Sequence, residues 1–161
     1  MKKKTSKKRS FILILIIILV LLGVGGFGAL FTANPEGSLW YQQVKAQITP
    51  PGYIIGIVWN ILYVLIGISI YLSLKNKTKD KETSKKLILI WSINLIANAL
   101  WTYFFFKMQN PILALMDLIL IAITCLMLII LNWKIHRTSA YLIIPYLLWL
   151  CFAGLLNFLA I

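Results

Sequence analysis

The sequence predicts an all-α integral membrane protein, a bundle of five membrane-crossing helices with no separate soluble domain. Three observations predict it. Of the 161 residues, 61% are hydrophobic and only 12% charged. The mean hydropathy is +0.90, outside the range of an ordinary soluble domain. Five apolar runs, residues 11–31, 51–74, 87–106, 111–133 and 140–161, each reach the roughly 20 residues a helix needs to cross about 30 Å of hydrocarbon.

The first span follows a basic tail, residues 1–10. This start also resembles a secretory signal peptide, but an apolar stretch of about 21 residues exceeds the ~7–15 of a signal core. No clean small-x-small cleavage site closes it, so it reads as a retained helix. Gly23, Gly25, Gly26, Gly28 and Ala29 give it a ridge suited to close helix packing. It has no polar stripe, so substantial lipid exposure is expected. The connection 32–50, with Trp40 and Tyr41, is the only one long enough to hold structure of its own.

The other four spans each carry a stripe at intervals of three and four, which places those residues on one helix face. Span two has Gly52, Gly56, Trp59, Tyr63 and Gly67; span three has Trp91, Asn94, Asn98, Trp101 and Phe105. Span four has Ala114, Asp117, Ile121 and Thr124; span five has Tyr146, Trp149, Ala153 and Asn157.

Charge gives orientation. The net charge is +12, and the 16 lysines and arginines alternate between sides: six up to Arg9, six in 75–86 and two in 134–139, against only Lys45 and Lys107 opposite. By the positive-inside rule the N-terminus is inside and the C-terminus outside. The charge is a topology signal with anionic lipid as a secondary partner, and no nucleic-acid partner is expected. Cys125 and Cys151 form no CxxC pair and read as buried apolar thiols; His136, the only histidine, reads as a solvated loop residue, not a haem ligand. No metal and no bound cofactor is expected.

Depth brings the stripes together. Counted from the outer ends, Asp117 lies about 9 Å deep, Trp59, Asn98 and Ala153 about 12 Å, and Trp149 and Asn94 about 18 Å. Tryptophan normally collects at the membrane boundary, so the deep Trp59 and Trp149 suggest an aromatic-walled pocket for a flat apolar ligand, with the 32–50 loop as its lid. Trp91, Trp101 and Trp133 fall near span ends and read as belt anchors. Asn94 and Asn98 read equally as interhelical hydrogen bonds or as ligand contacts. Asp117 reads as a structural hydrogen-bond hub, paired with Asn98 or an indole, or else as a group that handles ligand or protons.

These residues resemble the tryptophan-rich sensory protein or translocator protein (TspO/MBR) family, also called peripheral benzodiazepine receptors. The resemblance rests on Trp40-Tyr41, Thr49-Pro50-Pro51-Gly52 running to Val58-Trp59 and Leu62-Tyr63, Asn94 to Asn98 with Leu100-Trp101, Ala114-Leu115-Met116-Asp117, and Pro145 to Trp149 with Phe152-Ala153 and Asn157. It implies a five-helix bundle, usually a homodimer, whose cavity beneath the first loop binds porphyrins and synthetic aromatic ligands. It also implies Tyr41, Pro50, Trp59, Asn94, Asn98, Trp149 and Ala153 as ligand-lining positions. Trp59 and Trp149 would carry any light- and oxygen-dependent porphyrin breakdown. The sterol motif of the family's eukaryotic members, a tyrosine followed by a basic residue in the last helix, has no counterpart in 154–161. The lysine- and isoleucine-rich style points to a bacterial plasma membrane.

The leading expectation is a receptor or sensor for tetrapyrroles. A porphyrin-degrading enzyme is the second, and a transporter coupled through Asp117 the third.

Overall fold

A chain this apolar has no water for its backbone within the bilayer, so each crossing segment must satisfy its N–H and C=O groups internally, as a helix does. The computed structural model describes residues 2–32, 35–75 and 81–161, with side chains from residue 7 onward except residue 36. Residues 76–80, the middle of the basic connection, lie outside the described residues. The long helices are α1 (Lys2–Thr32), α3 (Gly52–Lys75), α4 (Lys81–Thr102), α5 (Pro111–Ile135) and α6 (Arg137–Phe158). The loop between α1 and α3 carries a 3₁₀ turn, Pro35–Gly37, and the short helix α2, Leu39–Val44.

All five predicted spans are helices, and their ends follow from local chemistry. Ser38 caps α2 by accepting from the Tyr41 N–H at 3.3 Å. Asn110 caps α5 by accepting from the Leu113 N–H at 2.9 Å, with Pro111 at the first helical position, where its missing N–H costs nothing. Several boundaries differ from expectation, and α1 already starts at Lys2, within the basic tail. Helix α4 starts several residues before the apolar run, because its lysine-rich first turns continue the helix into the polar region. The connection 134–139 shrinks to His136, which ends α5 and caps α6, its Nδ1 accepting from the Ser139 N–H at 3.3 Å. His136 is therefore a half-buried cap, not a solvated loop residue.

Beyond Thr102, α4 continues as a π-helical segment, Tyr103–Lys107. The wider turn re-aims three consecutive phenylalanines at the loop end of the bundle. Gln109, with φ 52°, takes the left-handed conformation that turns the chain from α4 into α5.

The five long helices close into a ring in the order α1, α3, α6, α5, α4. The most extensive contacts are α5 on α6 and α4 on α5, while α3 and α4, successive in sequence, meet only sparsely. A space is left between α1, α3, α4 and α6. Helix α1 shows most of its large side chains outward, as expected of a helix without a polar stripe. Cys125 is buried, whereas Cys151 is exposed on the outer face of α6, so only one of the two thiols is a core residue.

At the end where the basic connections gather, the ring is locked by hydroxyls. Ser139 Oγ lies 2.7 Å from both Ser69 Oγ and Ser73 Oγ, and Ser73 Oγ donates to Asn132 Oδ1 at 2.6 Å. Asn132 Nδ2 in turn donates to the Leu128 carbonyl at 2.8 Å. Small side chains let α3, α5 and α6 approach closely here, and every hydroxyl finds a partner. Replacing Ser139 by valine removes the hydroxyl that Ser69 and Ser73 share, leaving Ser69 Oγ only the Ser139 carbonyl at 3.0 Å and Ser73 Oγ only Asn132 Oδ1 and the Ser69 carbonyl. The expected cost is about 1–3 kcal/mol, read as a lower thermal unfolding midpoint in detergent, while Cys151→Ser on the outer face stays within about 0.5 kcal/mol.

Candidate functional site

The space inside the ring is a cavity of about 1290 Å³ that reaches from beneath the 32–50 loop down the seam between α1 and α3. Its walls come from α1, α3, α4 and α6, with Leu118 and Ile121 added by α5. Both deep indoles line it, Trp59 from α3 and Trp149 from α6, and neither turns out into lipid. The Trp59 ring centroid is 5.6 Å from that of Tyr63 and 6.2 Å from that of Tyr146, the latter edge-on. Trp149 packs against Phe152 at 5.5 Å. Such offset and edge-to-face pairs fix the rings by their quadrupoles as well as by packing.

Beneath the indoles runs a chain of hydrogen bonds across four helices. Tyr63 Oη donates to Asn98 Oδ1 at 2.9 Å, Asn98 Nδ2 donates to Tyr146 Oη at 3.0 Å, and Tyr146 Oη donates to Asn94 Oδ1 at 3.3 Å. Asn94 Nδ2 then donates to Thr124 Oγ1 at 2.9 Å and to the Ile121 carbonyl at 3.0 Å. Tyr146 and Asn94 are fully buried. The relay ties α3, α4, α5 and α6 together where α3 and α4 otherwise barely touch.

The loop end is closed by aromatics. Trp101 stacks on Phe105 at 5.4 Å with 20° between the planes, and Trp40 meets Phe105 edge-on at 5.3 Å. Tyr41 is buried against Phe106, so α2 seats its one buried face on the π segment. Trp101 Nε1 donates to Asn157 Oδ1 at 3.0 Å, and Asn157 Nδ2 donates to the Pro111 carbonyl at 2.7 Å.

Of the residues singled out in the sequence, Tyr41, Trp59, Asn98, Trp149 and Ala153 share this cavity. Pro50 does not line it: Thr49 and Gly52 do, and Pro50 is spent on turning the loop into α3. Asn94 does not line it either, because all its bonds run to α5 and α6 within the core. Asp117 is neither a cavity residue nor a hydrogen-bond hub. Its carboxylate finds no partner among the described residues, since Asn98 is already engaged by two tyrosines and the Trp101 indole by Asn157. Trp91 and Trp101 are not belt anchors: Trp91 is 3% exposed in the core, and Trp101 belongs to the cavity roof. Trp133, exposed and edge-on to Tyr141, fits the belt.

Sequence reasoning missed the α1 wall. Gly25, Gly26 and Ala29 face the cavity, and a Cβ on Gly25 would stand 3.3 Å from Tyr63 Cε2, so glycine lets the phenol ring lie against α1. The ridge was visible as a run of small residues, but nothing in the run showed that it faced a ring.

Five apolar helices closed around an aromatic-walled cavity define a multi-pass integral membrane protein with an intramembrane chamber. Residues 16–160 match the profile of the TspO/MBR family, and the chain belongs to that family. A tryptophan-rich protein TspO of Archaeoglobus fulgidus is 35% identical over 139 residues, spanning 86% of this chain and 88% of that one. A protein of the same name in Bacillus cereus is 38% identical over 124 residues, spanning 76% and 79%. The translocator protein of Bos taurus is 30% identical over 141 residues, spanning 86% and 83%.

The relay yields an ordered expectation for stability. Tyr146→Phe keeps the ring but removes the partner of both asparagine amides, and should cost about 1–2 kcal/mol. Tyr63→Phe removes one bond and should cost less. Thermal unfolding of the two variants in one detergent checks the order.

Proposed function

We propose that this protein is a membrane receptor or sensor that binds porphyrin-type tetrapyrroles and similar flat aromatic ligands in the chamber between α1, α3, α4 and α6. The observation that carries the reading is that Trp59 and Trp149, from two different helices, border one apolar chamber. Two indoles offer stacking faces to an extended π system. At about 1290 Å³ the chamber exceeds the ~300–1,000 Å³ of pockets for drug-sized ligands, which suits a macrocycle. By the positive-inside rule, the placement of basic residues supports a chamber whose lidded end faces the outer side of the membrane.

Titrating the protein with protoporphyrin should quench indole fluorescence saturably. The double variant Trp59→Phe, Trp149→Phe, followed by porphyrin absorbance, should bind about tenfold more weakly, because two stacking partners worth ~0.5–1.5 kcal/mol each are reduced. Affinity unchanged in the double variant would reject the reading.

A second reading, porphyrin breakdown driven by light and oxygen, draws on the same two indoles, which place oxidisable rings against any bound macrocycle. Illumination with oxygen should then bleach bound porphyrin in the wild-type protein, and bleaching at the same rate in the double variant would remove it. Transport coupled through Asp117 draws no support, because that carboxylate stands off the chamber.

A further inference from the structure

A second groove lies on the outside of the ring, along the seam between α1 and α4. It is apolar, has a volume of about 610 Å³, and is bordered by Leu13, Val20 and Gly23 of α1 and by Trp91, Leu95 and Leu100 of α4. Helices α1 and α4 run parallel through the bundle, since each crosses it as an odd-numbered span. The groove therefore begins, on both sides, just beyond basic residues: α1 enters it after the exposed Lys7, Lys8 and Arg9, and α4 after the exposed Lys85 and Lys86. Positive charge gathers at one end of an otherwise apolar trough.

The Trp91 indole backs this wall from the core, 3% exposed and with its Nε1 buried. An apolar trough with a cationic mouth matches an anionic phospholipid, its acyl chain along the trough and its phosphate at the mouth.

We propose that the α1–α4 groove is a binding site for an anionic phospholipid, with an acyl chain along the seam and the phosphate among Arg9, Lys8 and Lys86. Charge decides between this occupant and its competitors. A zwitterionic lipid brings, beside its phosphate, an ammonium against the lysines. A second copy related by a twofold axis along the membrane normal brings the same basic end against itself. An anionic headgroup neutralises that end, and each lysine or arginine near an anionic lipid surface strengthens the attraction. Gly23 keeps the trough open, since a Cβ there would meet nothing within 4 Å.

The full chain, delipidated in detergent, is titrated with phosphatidylglycerol and with phosphatidylcholine of identical acyl chains. Native mass spectrometry reads bound lipid and subunit number together. One phosphatidylglycerol per chain should bind about tenfold more tightly than phosphatidylcholine. Arg9→Gln with Lys86→Gln should abolish the preference. Gly23→Leu should weaken both lipids without lowering the unfolding midpoint. Equal affinity for the two lipids in the wild-type protein overturns the proposal, as does phosphatidylglycerol binding untouched by Gly23→Leu. A dimer that Gly23→Leu splits while lipid binding persists assigns the groove to a second copy and overturns it too.

Discussion

The relay from Tyr63 through Asn98, Tyr146 and Asn94 to Thr124 is the interaction on which the rest of this structure depends. Between helices in a bilayer there is no water to satisfy a polar side chain and little hydrophobic gain from bringing apolar faces together. Shape and hydrogen bonds must do the joining. Here α3 and α4 touch only sparsely, and the Tyr63–Asn98 bond spans the gap between them. The same asparagine holds Tyr146 of α6, and Tyr146 holds Asn94. A chamber can exist beside α3 and α4 because the helices are joined by a line of polar contacts instead of by a filled interface.

That arrangement divides the polar residues of the spans into two kinds. Those with partners hold helices in place: the relay, the serine lock at the basic end, and the Trp101–Asn157 pair at the loop end. The buried side-chain atoms without partners are three, among the described residues: Trp149 Nε1 beside the chamber, Trp91 Nε1 beside the outer groove, and Asp117 Oδ2 on α5. The two indoles belong to residues that line the inner chamber and the outer groove. Helix α1 takes part in both, with its Gly25 and Gly26 side facing the chamber and its Gly23 side facing the groove. A helix that looked like simple packing material thus forms one wall of each.

Much of this was legible along the chain. The five spans and the long loop follow from apolar length, and the stripe of Trp59 and Tyr63 predicted a face that the structure turns inward. The convergence of Trp59, Asn98, Trp149 and Ala153 followed from depth, because helices of known rise that cross a slab keep their residues at countable levels. Depth fails to give azimuth. Asn94 and Asn98 sit one turn apart on one stripe, yet Asn98 reaches the chamber and Asn94 is consumed by α5 and α6. Trp91 and Trp101 lie near the ends of a span, which suggested a belt, but their rings turn inward. Pro50 and Thr49 are neighbours in the loop, and only the backbone path decides which of them meets the cavity.

The sequence alone determined that this protein crosses a membrane five times and that bulky aromatics and amides meet at one level within it. Those features depend on hydrophobic length, on charge asymmetry and on the fixed rise of a helix, which are properties of a segment taken by itself. The tertiary structure decided the order of helices around the ring, which asparagine binds its neighbours and which faces the chamber, and that a glycine ridge on α1 closes the wall opposite Trp59. Each of these depends on how helices rotate about their own axes when they pack. That rotation is chosen by hydrogen bonds and ring contacts between segments far apart in sequence, and no local pattern encodes it.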